Sequence, residues 1–182
     1  MYNRYYKFIR ELEVGAKDLN HIYSNVIILC IGTKKVLGDS VGPLVGENIK
    51  YLENEYIKIY GVLEHTINFN NAKNIIGDIY KNFDNPYIIT IDSALGSKEN
   101  MGQVILNKGY IKIGKALEKS ICFYSNLNIK CVVGKNTNSM VNNLVELKNV
   151  DIEEINNIVQ IVSKGIENFL TNCIRNKIMA KL

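Results

Sequence analysis

Apolar residues in this chain follow two kinds of pattern. Val26-Ile27-Ile28-Leu29-Cys30-Ile31 and Tyr87-Ile88-Ile89-Thr90-Ile91 run almost without a polar break. Such a run, without alternation, predicts a strand buried on both faces. Residues 57–63 and 127–133 predict two further strands, and 103–106 a short one that leads away. Elsewhere the apolar residues recur every three or four positions, as on one face of a helix. Tyr5, Phe8, Ile9 and Leu12 do so in a helix over residues 1–20, weakened or ended at Gly15. Val41, Leu44, Val45, Ile49 and Leu52 predict a helix after Asp39. Pro43 falls in its first turn, where a missing N–H costs nothing. Ala72, Ile75, Ile76, Ile79 and Phe83 predict the next helix, capped by Asn70 or Asn71 and broken at Asn85-Pro86. Met140, Leu144 and Leu147 predict another.

The last helix carries the strongest signals. Asp151 reads as its N-cap, with Glu154 three residues on as in a capping box. Ile152, Ile155, Val159, Val162, Ile166 and Phe169 then recur at helical spacing. Residues 171–182 read as a basic tail, a frayed continuation. Residues 96–102 read as a turn, and 107–120 as irregular, with Gly109, Gly114 and several lysines. Strands that alternate with helices predict a three-layer α/β/α fold with a mostly parallel central sheet. No repeat, linker or composition shift divides the chain, so residues 1–182 read as one domain.

Composition narrows the function classes. The chain has 182 residues, 47% of them apolar, enough for a sizeable core. Its net charge of +4 is mild and its basic residues are spread out, so no direct nucleic-acid binding is expected. Cys30, Cys122, Cys131 and Cys173 form no C-x-x-C pair, and only His21 and His65 could join them. A Cys/His zinc site is therefore not expected. Residues 1–25 lack the apolar core of a signal peptide, and no run approaches the ~18 residues of a membrane span. A soluble, cytoplasmic protein is expected.

The candidate chemistry lies where strands end. In parallel α/β sheets, sites form beyond the carboxyl ends of the strands. Asp39 follows the first strand within Gly32-Thr33-Lys34-Lys35-Val36-Leu37-Gly38-Asp39-Ser40-Val41-Gly42. Asp92 closes the third. Right-handed crossovers would set those strands side by side and bring both acids to one edge. A Walker loop does not fit, because five residues separate Gly32 from Gly38 and Asp39 replaces the lysine. Neither a G-x-G-x-x-G fingerprint nor a G-x-S-x-G elbow is present. Two close carboxyls would share one proton, so that one accepts a proton from water while the other donates to a carbonyl or leaving amine. Asp39, at a helix start, is expected to favour the ionised form, and Asp92, at a buried strand end, the protonated one. The same pair could hold a divalent metal with a third ligand, or Asp39 could simply cap its helix while Asp92 bonds loop amides. Gly38, Gly42 and Gly46, four residues apart, are expected to allow close helix-to-strand packing.

Ile31-Gly32-Thr33 with Gly38-Asp39-Ser40-Val41-Gly42-Pro43-Leu44-Val45-Gly46 resembles the YyaC-type sporulation protein family. Ile57-Lys58-Ile59-Tyr60-Gly61-Val62-Leu63 and Ile91-Asp92-Ser93-Ala94-Leu95-Gly96 are similar to its next signatures. The resemblance covers roughly residues 26–170 and extends distantly to the spore germination protease and to hydrogenase maturation endopeptidases. It implies a hydrogenase-maturation-protease-like α/β fold and an aspartate-dependent endopeptidase acting in sporulation or germination. Asp39 and Asp92 would be its catalytic pair. Gly38, Ser40, Gly42 and Ser93 would line the substrate site, with Glu64 and His65 beside it. The implied substrate is a protein or peptide, with small acid-soluble spore proteins the first candidates, in the forespore or sporulating cell. In the hydrogenase enzymes the matching acids and a later histidine contact nickel. No histidine follows His65 here, so that third ligand is missing and neither metal nor cofactor is expected. A metal-dependent maturation-type peptidase and a non-catalytic binding module remain the alternatives, and homo-oligomer formation stays open. Lys34 and Lys35 beside the turn read as solvated or as steering an acidic substrate.

Overall fold

The computed structural model describes residues 2–19, 23–113, 121–137 and 139–179. Five strands form one sheet: β1 (Val26–Cys30), β2 (Ile57–Tyr60), β3 (Tyr87–Gly96), β4 (Val104–Ile113) and β5 (Ile121–Lys135). Their spatial order is β2-β1-β3-β5-β4. All neighbours are parallel except β4, which runs antiparallel to β5. The helices are α1 (Tyr2–Gly15), α2 (Val41–Ile49), α3 (Ala72–Asn82), α4 (Met140–Lys148) and α5 (Ile152–Met179). This is the expected mixed α/β sheet with helices on both sides.

The unbroken runs form the middle of the sheet. β1 pairs with β3 from Val26↔Tyr87 to Cys30↔Ile91, so the first and third strands are neighbours. Every residue of β1 is buried. Side chains alternate between two cores. On one face Ile28, Cys30, Ile89, Ile91 and Ile129 meet Phe8 and Leu12 of α1, Val45 and Ile49 of α2, and Ile158, Val162 and Ile166 of α5. On the other, Ile27, Leu29 and Ile88 meet Ala72, Ile76 and Ile79 of α3.

Three expectations about the strands change, while the first helix ends at Gly15 and the last continues into the basic tail as expected. β3 does not stop at Ile91 but runs on to Gly96, because β5 is long enough to pair with it through Gly96↔Lys135. Asp92 therefore lies inside the strand. Residues 107–113 are strand, not irregular, and β5 begins at Ile121, earlier than expected. A bulge between Asn107 and Gly109, with Gly109 at φ +103°, lets the hairpin continue into Ile111↔Phe123 and Ile113↔Ile121. Residues 114–120 of the expected irregular stretch lie outside the described residues. The basic tail is helix as far as Met179, where the described chain ends. The first helix stops at Gly15, followed by a 3-10 turn at Lys17–Leu19, and residues 1 and 20 are not described.

The capping signals act differently from their expected form. The Asp151 carboxylate accepts from the Glu153 N–H at 2.9 Å. Glu154 does not reach back to complete a box; it pairs with Arg4 of α1 at 2.5 Å. Asn71 precedes α3, but its side chain accepts from Asn68 N–H and donates to the Thr66 carbonyl, closing the loop before the helix. The expected helix after Asp39 ends at Ile49, and its last turn, Lys50–Leu52, tightens to 3-10 geometry.

Candidate functional site

The turn between β1 and α2 is built on close backbone approach. Ile31 N–H donates to the Ile91 carbonyl at 2.8 Å and Gly32 N–H to the Ile67 carbonyl at 2.8 Å. Gly32 sits at φ +142°, and a Cβ there would stand 2.0 Å from the Asp39 carbonyl oxygen. Thr33 N–H donates to that same oxygen at 3.0 Å, closing the loop on itself. Asp39 ends a 3-10 turn, Leu37–Asp39. The buried Ser40 hydroxyl donates to the Leu37 carbonyl at 2.6 Å. Gly42 packs so tightly on β1 that a Cβ would meet the Ile31 carbonyl oxygen at 2.1 Å. Gly46 approaches Gly61 and Cys30, and Gly38 approaches Leu147 of α4, in the same manner. The expected helix-to-strand packing therefore holds for Gly42 and Gly46, whereas Gly38 packs on helix α4.

Asp92 is supplied by β3, next to that turn. The neighbouring Ser93 hydroxyl donates to Asp39 Oδ1 at 3.4 Å, joining the two acid-bearing segments. Both acids are half-buried, and β3 brings them close enough to feel each other's charge. Burial pushes the Asp39 carboxyl up to about 6, while the hydroxyl of Ser93 and the N–H of Thr33 pull it back. This reverses the expectation that the helix start would keep Asp39 ionised: loss of water outweighs the donors that face it. Burial, reinforced by the charge of Asp39, pushes Asp92 up to about 8. Ser93 N–H and the ammonium of Lys130 oppose that rise.

The other expected residues divide. Ser93 stands at the pair. Gly38, Ser40 and Gly42 shape the turn beneath it, and the Ser40 hydroxyl and N–H are both already engaged with Leu37. Glu64 and His65 are exposed on the loop after β2, and among the described residues neither shares a hydrogen bond or ion pair with Asp39 or Asp92. Lys34 and Lys35 are exposed, Lys34 two residues beyond Gly32. His21 lies outside the described residues. Among the described residues no three of His, Cys, Asp and Glu gather as metal ligands, so the side chains here do not fit a three-ligand nickel site. Cys30 and Cys131 are buried thiols in the core on the α2 and α5 side of the sheet. Burial pushes both well above the ordinary thiol range, and they stay protonated.

Lys130 is a neighbour that sequence reasoning passed over. It lies on β5 opposite Asp92, and it is exposed between buried Ile129 and Cys131. The available signal was a charge within the apolar run 129–133 of β5. A groove of about 610 Å³ lies between α1 and the edge strand β4, lined by Lys7, Arg10, Val14 and Leu106, and neither carboxylate reaches it. No helix among the described residues is long and apolar enough to cross a membrane.

Residues 2–165 match the family described as "Protein of unknown function (DUF1256)", and the chain belongs to that family. It is 30% identical over 141 residues to the "Uncharacterized protein YyaC" of Bacillus subtilis (strain 168), covering 78% of this chain and 67% of that one. The YyaC-type resemblance of the sequence is thus borne out. Among solved structures the fold is similar to that of a [NiFe] hydrogenase maturation protease, HycI, from Thermococcus kodakarensis KOD1. The TM-score is 0.57 at 17% identity, over 88% of this chain and 98% of that one. The hydrogenase-maturation-protease-like fold expected from the sequence is therefore the fold observed.

Proposed function

We propose that the chain is an endopeptidase in which Asp39 and Asp92 act as a single proton-sharing unit. The observation that carries this reading is a pair of half-buried acids, one in the turn after β1 and one in its parallel neighbour β3, joined where Ser93 donates to Asp39 Oδ1 at 3.4 Å. Burial raises both, and the charge of Asp39 raises Asp92 further, to about 8 against about 6 for Asp39. Such a pair holds an acid and a base at the same time near pH 7. The ionised carboxyl takes a proton from water as the water oxygen bonds to the peptide carbonyl carbon. The protonated carboxyl gives its proton to the carbonyl oxygen. When the tetrahedral intermediate collapses, the C–N bond breaks and the amine leaves with a proton returned by the pair. Neither role belongs to one residue, because a coupled pair titrates as a unit. While the proton passes to the carbonyl oxygen, the Val41 and Gly42 N–H groups at the start of α2, which have no partner within their helix, steady the partial charge building on that oxygen.

The fold shared with HycI, titled a maturation protease, supports a peptidase rather than another chemistry. The substrate is a protein or peptide. The YyaC-type resemblance favours small acid-soluble spore proteins, cut in the forespore or sporulating cell. The test is cleavage of such a protein by the parent chain, beside Asp39→Asn and Asp92→Asn, with and without a chelator. The reading expects cleavage by the parent only, insensitive to chelator. Cleavage abolished by chelator would move the site to metal chemistry. A folded parent that cuts nothing would leave a binding module on the same fold.

A further inference from the structure

The pair has a third charged neighbour, and its placement follows from strand register. β3 and β5 run parallel, with Thr90↔Asn128 and Asp92↔Lys130 as successive same-face partners. Residues two apart in a strand point to the same face, and neighbouring strands lie ~4.8 Å apart. The face is identified by the first partnership, since the Thr90 hydroxyl donates to Asn128 Oδ1 at 2.7 Å. Lys130 therefore rises beside Asp92 on that face, ahead of the register irregularity between Ala94 and Leu95. Its flanking residues, Ile129 and Cys131, turn into the opposite core. Lys130 itself is exposed, and its flexible four-carbon stem can bring the ammonium within reach of Asp92.

Among the described residues, the charged side chains that act on Asp92 are Asp39 and Lys130, of which Lys130 is the cation. From the turn comes Asp39, and from β3 itself Ser93. From β5 comes Cys131, a buried thiol that feels the charge of Asp92. α3 packs on the face that Ile88 and Thr90 share, and its charged side chains, Lys73, Asp78 and Lys81, are exposed, as are Glu64 and His65 of the loop before it. α2, on the opposite face, carries Glu47, which pairs with Lys50. Glu146 of α4 sits against Gly134, further along β5.

We propose that Lys130 is a positioning residue of the carboxylate pair: its ammonium, one strand from Asp92 on the same face, stabilises the ionised pair and so sets the pH range in which the pair holds a single proton. The kinetic part of this proposal rests on the peptidase reading. The electrostatic part does not. Without the cation both proton losses become harder, the loss of the last proton most of all. The active range then moves toward alkaline pH.

The experiment is a carboxyl-carbon NMR titration of Asp39 and Asp92 in the parent, Lys130→Met, Lys130→Gln and Lys130→Arg chains, with pH–rate profiles beside it once a substrate is in hand. Both neutral variants are expected to titrate at higher pH than the parent, and the arginine variant as the parent does. Cleavage at the acidic side of the optimum is expected to fall about 2- to 5-fold in the neutral variants, the size of an exposed charge pair, and to recover with arginine. An Asp92 that titrates high in the parent and identically in Lys130→Met and Lys130→Gln overturns the role of Lys130 and leaves the pair intact. An Asp92 that titrates like an ordinary carboxyl in the parent overturns the pair, and this inference with it.

Discussion

The two acids arrive by different physical routes. Asp39 is held by a turn whose shape is written in consecutive residues: a glycine at φ +142°, another pressed on β1, and backbone bonds that close within ten residues. Asp92 is held by a ladder, and its surroundings come from β1, β5 and the turn, all distant in sequence. The first region tolerates almost no added volume. The second tolerates side-chain change but is sensitive to charge. A local turn fixes position, and a ladder fixes electrostatic company.

The comparison breaks most directly at the acids themselves. Asp39→Asn and Asp92→Asn should each lower cleavage about 1,000-fold or more, because members of a catalytic unit are not additive. A variant retaining a tenth of parent activity would mean that one acid is only structural. The next effect is steric. Gly42→Ala sets a methyl 2.1 Å from the Ile31 carbonyl oxygen, and it should cost about 3 kcal/mol in urea unfolding, at the upper end of overpacking costs. A neutral result would show that the turn yields.

Charge comes third. Both folded carboxyls lie above the unfolded range of about 4, so the folded state binds their protons more tightly. The stability they contribute is complete below about pH 4 and is lost as pH rises through about 6 and then about 8. Asp92→Asn removes the later loss. Its urea midpoint should match the parent near pH 5 and exceed it at pH 9, by about 1–3 kcal/mol after allowance for partial exposure. A variant less stable than the parent at pH 9 would show that Asp92 is held ionised by donors, as a loop-bonding acid would be.

Smaller effects separate the ladder from the turn. Thr90→Val removes the buried donor to Asn128 and should cost about 1–2 kcal/mol in urea unfolding. Ser93→Ala removes only a long bond to Asp39, so stability should stay within about 0.5 kcal/mol while the Asp39 titration moves up.

What was legible in the sequence follows the same division. β1 and the start of β3 were readable because unbroken apolar runs have one reading at that length. The glycine turn was readable because its spacing is local. The hairpin over 107–113 was not, because Gly109 and the lysines around it hide a bulge that only cross-strand pairing makes visible. The extension of β3 past Asp92 was missed for the same reason: the partner that extends it, β5, lies thirty residues on and more. The adjacency of the segments that carry Asp39 and Asp92 could be inferred from the first and third strands being neighbours, although Asp92 lies inside β3 and not at its end. The raised carboxyl of Asp39 could not, since burial depends on what packs over the turn. Lys130 beside Asp92 is a fact of register, and register is tertiary.

The most direct measurement is the carboxyl-carbon NMR titration of Asp39 and Asp92 in the unmodified chain. The account expects two coupled midpoints, near 6 and near 8, with one proton shared between them at neutral pH. Two independent midpoints near 4, each untouched by converting the other acid to asparagine, would contradict it.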